Sequence, residues 1–330
     1  MVAGMSTTKS PELPVLPMIE AIEKFGDAHA GYRRGHARGL VFTGTFQAAP
    51  EVRALSMAEH FQGASIPVEV RLSNASASPF ASDRQSPKVG RTLGLAVRFH
   101  LPSGAVASWA SVNIPIFPAA TPEDFLRVTR AQKPFLSLAP NPFKIIAYII
   151  SRPSVLPAIK AVAGLKPARS LATTAYNGLH TYFLVNAKGE RQPVRYSWRP
   201  RAGVETIAPA QARGLPPQYL LDEIRERLSA GPAQWDLSFQ LAAAGDPLVD
   251  ASRAWPASRP TVAGGTLTIT SLLPDQKSVE GLVFDPTGVV PGIELSDDPL
   301  LRFRAAVYSE SYRRRSSEKR ADPPPADMGQ

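Results

Sequence analysis

Proline is the strongest constraint on how this chain can fold. There are 33 in 330 residues, against a usual share of roughly 5%, and they are spread along the chain instead of clustered. Each fixes φ and removes a backbone donor, so short elements joined by many turns are expected, and the balance leans toward β. Alternating apolar and polar residues mark the strands. They are the stretch after Gly39, Val68–Ser73, Thr92–Leu101, Ser111–Phe117, a hairpin of Ala175–Asn186 with Gln192–Arg199, Trp235–Leu241 and Gly265–Leu272. Helices are predicted at Met18–Phe25, over 50 to 63, through most of 122 to 166 with proline breaks, at Pro217–Leu228 and after Asp297. Thr121 caps the helix at Pro122, which has acids in its first turn. No dinucleotide-binding glycine fingerprint follows any strand. The economical architecture is α+β: an antiparallel eight-stranded β-barrel with helices packed outside. Residues 1–17 read as a flexible arm, 18–315 as one domain with a helical insertion near 120–170, and 316–330 as a polar tail.

Composition removes several chemistries. The chain has no cysteine, which excludes disulfides, zinc-thiolate sites, thiol peroxidase chemistry and thiolate-ligated haem. Redox chemistry here would need a cofactor. The formal net charge is +9, but Lys and Arg are scattered apart from Arg313 to Arg315 and Lys319-Arg320, so nucleic acid is not an expected partner. The N-terminus lacks a basic segment followed by an apolar core, and a cytoplasmic protein is expected. The most apolar run, Pro142 to Ile150, is short of the about 20 residues that a bilayer span needs. The surrounding Phe143–Val162 carries Lys144, Arg152 and Lys160; it reads as a helix covering the barrel or as a weak membrane-surface contact.

Several residues could carry chemistry. In Asp297-Asp-Pro-Leu-Leu-Arg-Phe-Arg-Ala-Ala-Val-Tyr308, either Asp can cap a helix and Pro299 suits its first turn, so Arg304 and Tyr308 fall one turn apart on one face. A guanidinium there favours a phenolate, one of the few groups that hold ferric haem; the alternative is an ordinary surface pair. His36 lies between Gly35 and Gly39 at the start of a strand, with Arg33 nearby. It could shuttle a proton or be a satisfied strand-end histidine. Arg71 and Ser73 share one strand face with Glu69. Asn113 could donate to a ligand or simply shape a turn, and His180 falls in the first strand of its hairpin.

Taken together, Gly35-His-Ala-Arg-Gly39, Val70-Arg-Leu-Ser73, Asn113-Ile-Pro-Ile-Phe117, Asn177-Gly-Leu-His-Thr181, Phe284-Asp-Pro-Thr287 with Pro291-Gly-Ile-Glu294, and Arg304-Ala-Ala-Val-Tyr308 resemble, in order, the haem catalases, and more closely the catalase-related peroxidases. The resemblance covers roughly residues 20 to 320. It implies haem b with ferric iron ligated by Tyr308, with Arg304 as that ligand's charge partner and His180 on the same side. It implies propionate arginines at Arg33, Arg71 and Arg315, and a distal set of His36, Asn113 and Ser73. The implied activity reduces hydrogen peroxide or organic hydroperoxides through a ferryl intermediate, with a small organic electron donor and weak catalase activity. Two departures from the large catalases favour the peroxidase: the segments flanking the domain are short, and Gly35 stands where catalases carry a bulkier residue. A monomer or homodimer is expected. Rearrangement of fatty-acid hydroperoxides, as in allene oxide synthases, and a barrel that only binds haem or an apolar ligand remain as alternatives.

Overall fold

The computed structural model describes residues 13–84, 91–131, 134–135, 139–140 and 142–322. Helix α1 (Val15–Phe25) leads to strand β1 (Gly39–Ala48) and β2 (Ser65–Asn74). Then come β3 (Leu93–His100), β4 (Val106–Val112), α2 (Pro122–Ala131), a ribbon of β5 (Pro134–Phe135) with β6 (Ala139–Pro140), α3 (Pro142–Ser151) and α4 (Leu156–Ala163). The chain returns to the sheet with β7 (Tyr176–Asn177), β8 (Tyr182–Val185) and β9 (Arg191–Pro200), and continues through α5 (Pro209–Gly214) and α6 (Tyr219–Ala230). It ends with β10 (Ala233–Leu241), β11 (Thr261–Leu272), β12 (Ile293–Leu295) and α7 (Pro299–Ser317).

The sheet runs β11, β1, β2, β3, β4, β7, β9 and β10, and the β10–β9 pairing closes it into the expected eight-stranded antiparallel barrel. Closure removes the exposed edges that such short strands would otherwise present. Strand β8 shares the free edge of β9 with β7 and carries β12 outward. The even positions Ile66, Val68, Val70 and Leu72 of β2 are buried, as are Leu95, Val97 and Phe99 of β3. Aromatic rings fill the barrel: Phe46 lies 5.3 Å from Phe99 and 6.2 Å from Trp198, and Trp109 lies 5.9 Å from Phe239. Outside it, α1, α2 and α7 form a second core around Met18, Ile19, Leu126, Leu300, Phe303 and Val307.

Four expectations are adjusted by the structure. Residues 50 to 63 form two short 3₁₀ turns, Pro50–Ala54 and Glu59–Phe61, instead of one helix. The first hairpin strand breaks into β7 and β8, leaving His180 between them in non-strand backbone. The break has a steric cause: at Gly178 the chain crosses the Tyr196 ring, where a Cβ would come within 2.2 Å of it. Most of the expected N-terminal arm lies outside the described residues, and its last residues open α1. Likewise the first residues of the expected tail are anchored: Glu318 accepts from Arg34 Nη1 at 2.8 Å, and Ala321 N–H donates to Ala30 O.

The turn at Glu59–Phe61 places His60 in the barrel core, stacked 4.9 Å from Phe99. The imidazole is fully buried, and among the described residues both ring nitrogens lack a partner. Burial lowers its pKa from 6.5 to about 3, so it is neutral when folded. Below pH 6.5 the unfolded chain gains a proton that the folded one refuses, and stability falls until about pH 3. On going from pH 7 to pH 5 this one group should cost about 2 kcal/mol. Replacing it (His60→Leu) should therefore shrink the acid-dependent loss of stability by that amount, as read from denaturant unfolding at the two pH values.

Candidate active site

Helix α7 starts at Asp298, whose Oδ1 accepts from Leu300 N–H at 2.9 Å as an N-cap. The other carboxylate oxygen, Oδ2, sits 2.7 Å from His180 Nδ1. One turn into the helix, Arg304 Nη1 lies 2.8 Å from His180 Nε2, while its Nη2 and Nε donate to Tyr308 Oη at 2.8 and 3.3 Å. A guanidinium only donates, so Nε2 must accept and the imidazole proton must sit on Nδ1, directed at Asp298. Burial lowers the His180 pKa, and Asp298 offsets this only in part. Burial also acts to lower Arg304, but the adjacent Tyr308 oxygen carries it above the usual arginine value. The row Asp298, His180, Arg304, Tyr308 thus holds the Tyr308 oxygen in one orientation.

Opposite this row stands the loop before β1. His36 takes φ of 53°, in the left-handed region, which costs a non-glycine residue on the order of 1–3 kcal/mol. The loop is held by Ala37 N–H to Ser76 O at 2.9 Å, and the ring by Ser73 Oγ, 3.0 Å from Nδ1. Ser73 pairs in register with Gly39 on one side and Gly94 on the other. The imidazole lies flat against Gly94, where any Cβ would meet its Cε1 at 2.7 Å. Burial first, then the charges of Arg71, Arg304 and Arg33, lower the His36 pKa to about 3. The ring is neutral, and Nε2 has no hydrogen-bond partner among the described residues.

Asn113 follows the end of β4 and clasps the start of β3. Its Oδ1 accepts from Leu93 N–H at 2.8 Å and its Nδ2 donates to Arg91 O at 3.0 Å. It is therefore a turn residue that keeps one amide N–H in reserve, and its clasp fixes the strand segment that carries Gly94 under His36.

At the third side of the site, Arg33, Arg71 and Arg315 converge. Arg33 Nη1 donates to Leu282 O at 2.8 Å, Arg315 Nη2 donates to the same carbonyl at 3.3 Å, and both reach Glu280 O. Arg71 Nη2 donates to Ala37 O at 3.3 Å. None of the three forms an ion pair with a carboxylate among the described residues, and the buried Arg33 Nε has no partner. Burial and their mutual repulsion lower Arg71 to about 9 and Arg315 to about 10. Buried charge is costly; the Glu280 carboxylate acts on all three and offsets part of it, and the positive charge left over calls for an anion. His36, Arg304 and Tyr308 are only partly buried even though Arg71, Arg304 and Arg33 all act on the His36 ring. They line a common space between the outer face of the barrel and α7.

Hydrogen bonds and charge link eight of the nine residues expected from sequence, His36, Ser73, Arg33, Arg71, Arg315, Arg304, His180 and Tyr308, while Asn113 approaches them only through its clasp on Leu93, next to Gly94. Glu69, on the same strand face as Arg71 and Ser73, stands apart: it pairs with Arg98 and His100 farther along the barrel. Sequence reasoning missed Gly94, Asp298 as the partner of His180, and the 279–282 carbonyls. Gly94 sits in a predicted strand, where an isolated glycine signals close approach of another group; the other two carry no local signal.

The arginine cluster makes a two-sided prediction. Substituting Arg71→Met removes an unpaired buried cation and should stabilise the ligand-free protein by about 1–3 kcal/mol. Thermal unfolding of ligand-free wild type and variant measures it, and a lower melting temperature in the variant would contradict the reading.

Comparisons with known proteins identify the family. The catalase family model matches residues 13–323. A catalase-related peroxidase of Mycolicibacterium paratuberculosis is 37% identical over 313 residues, covering 93% of this chain and 96% of the relative. One from Synechococcus elongatus is 32% identical over 318 residues, covering 95% and 92%. Among solved structures, a bacterial catalase superposes with a TM-score of 0.78 at 21% identity, and a fungal catalase with 0.75 at 19%. This chain spans 63% and 66% of those two catalase chains. With a closed barrel, a family model matched along nearly its whole length and relatives of its own size, the chain belongs to the catalase family.

Proposed function

We propose that this chain is a haem-dependent peroxidase that reduces hydrogen peroxide or organic hydroperoxides at the expense of a small organic donor, with weak catalase activity. The observation that carries the reading is the buried cluster of Arg33, Arg71 and Arg315, which forms no ion pair with a carboxylate among the described residues, beside a neutral histidine and an arginine-bound tyrosine oxygen. The catalase family implies haem, and the site fits haem b with ferric iron. Two propionates would match the charge of the cluster, and the hard Tyr308 oxygen suits ferric iron. Arg33, Arg71 and Arg315 would hold the propionates, and Tyr308 would ligate the iron. When bound, the haem supplies the iron through which electrons pass from donor to peroxide.

The remaining steps belong to the chain's own residues. Ser73 holds His36 Nδ1, so Nε2 is the nitrogen that exchanges protons. Neutral at working pH, it can take a proton from one peroxide oxygen and return it to the other as the O–O bond breaks. The reserved N–H of Asn113 can orient that second oxygen. The Asp298–His180–Arg304 row holds Tyr308 against rotation, as groups behind a metal ligand commonly do. Gly35 is exposed beside His36, and a Cβ there would meet nothing within 4 Å. The approach to His36 is therefore open to bulky peroxides or donors. Relatives named peroxidase favour neither the rearrangement of fatty hydroperoxides nor a barrel that only stores haem.

Three variants test the reading. Substituting His36→Ala should lower the rate of reaction with peroxide by about 10²–10⁴-fold while sparing haem binding; stopped-flow absorbance reports both, and unchanged turnover would sink the mechanism. Substituting Tyr308→Phe should weaken haem retention and alter the ferric spectrum. An added side chain (Gly35→Val), which the open space accommodates, should depress turnover of cumene hydroperoxide more than that of hydrogen peroxide. An equal effect on both would remove Gly35 from the access route.

A further inference from the structure

Helix α3 is apolar on nearly every side. Its inner side is anchored: Tyr148 is buried, donates its hydroxyl to Pro118 O at 3.0 Å, and packs with Val128 and Val155. Its outer side presents Phe143, Ile146 and Ile150 at 69%, 53% and 74% exposure, spaced i, i+3, i+7 along one stripe. The chain then bends by 113° into the second helical stretch, Pro153–Ala163, with half-exposed Arg152 at the bend and exposed Lys160 beyond it. Among the described residues no single helix is long and apolar enough to cross a membrane. At about 1.5 Å per residue, α3 covers about half and α4 less than half of a hydrocarbon core about 30 Å thick.

Charge distinguishes this face from an ordinary apolar patch. Between Asp124 and Glu190 the sequence holds nine Lys and Arg and no acid, while outside that stretch basic and acidic residues balance. The whole net charge of the chain therefore originates here. The acid beneath the helix pair, Asp124, is 1% exposed and lies between Arg127 and Arg152, which are 60% and 51% exposed. An apolar stripe on a stretch of chain whose charged residues are all basic matches the demands of an anionic bilayer, which attracts the cations and takes up the apolar side chains at the headgroup boundary. We propose that α3 and α4 form a docking surface for anionic lipid bilayers, lying in the interface with Phe143, Ile146 and Ile150 inserted and Arg152 and Lys160 on the headgroups. The anchors at Pro118 and Asp124 tie this surface to α2, which packs on α7, so a docked protein would carry its haem site close to the membrane.

Co-sedimentation of the full-length holoprotein with vesicles tests the proposal by a readout that does not involve turnover. The expected result is binding to mixed phosphatidylcholine–phosphatidylglycerol vesicles at low salt, weaker at high salt and weak on phosphatidylcholine alone. The double variant Ile146→Glu/Ile150→Glu should lower the bound fraction about tenfold with circular dichroism and haem content unchanged. Substituting Lys160→Glu, at an exposed position, should weaken binding at low salt only. Failure of the wild type to bind anionic vesicles, equal binding to neutral ones, or binding indifferent to the double variant would overturn it. So would a dimer that the double variant splits without effect on vesicles, which would make the stripe a contact between two copies.

Discussion

A guanidinium cannot shed its charge inside a protein, and three of them meet here with the charge of one carboxylate, Glu280, acting on all three. That constraint organises the structure around it. Arg71 comes from the barrel, Arg33 from the loop that carries His36, and Arg315 from the last turns of α7. Each would be cheaper in water, so an anion must compensate them together. The loop over 279–282 supplies carbonyls that orient Arg33 and Arg315, and its Glu280 carboxylate offsets part of their charge. The charge of Arg71 and Arg33 reaches the neutral His36 imidazole together with that of Arg304, the arginine bound to the Tyr308 oxygen.

Helix α7 joins this site to the core. Its apolar positions Leu300, Phe303 and Val307 pack on α1 and α2, while Arg304 and Tyr308 project from another side. Asp298 serves twice, capping the helix and holding His180, so the start of the helix and the orientation of Arg304 are set by the same carboxylate. Arg34 ties the segment after α7 to α1 through Glu318 and Glu23. Packing of α7 and geometry at Tyr308 are in this way one problem with one solution.

The barrel contributes rigidity more than chemistry. Its interior is filled with Phe and Trp rings, and only its outer face, at Arg71 and Ser73, faces the site. Strand register delivers Ser73 beside Gly94, and the missing side chain at Gly94 makes the slot in which the His36 ring lies. The strained backbone of His36 persists because the hydrogen bonds of the Ala37 N–H and of the ring hold it from both ends.

Much of this was legible in sequence wherever the deciding interaction is local. A helical repeat places Arg304 over Tyr308, and a strand period of two puts Arg71 and Ser73 on one face. A proline-punctuated alternation yields eight strands, and the resemblance of six ordered segments yields the family. What sequence could not show is which distant groups meet. Arg33 reaches a carbonyl 249 residues away and Arg304 a histidine 124 residues away. His180 could not be separated from a strand, because the Tyr196 ring that forces the chain past Gly178 comes from another strand. Residues 50 to 63 looked helical because their apolar spacing is, yet packing beneath the barrel divided them into two turns. Sequence by itself determined most of the elements, the candidate residues and the family. Only the tertiary structure decided the burial and mutual repulsion of the arginines, the tautomer of His180 and the exposed stripe on α3, because charge compensation and exposure depend on what closure of the barrel brings together.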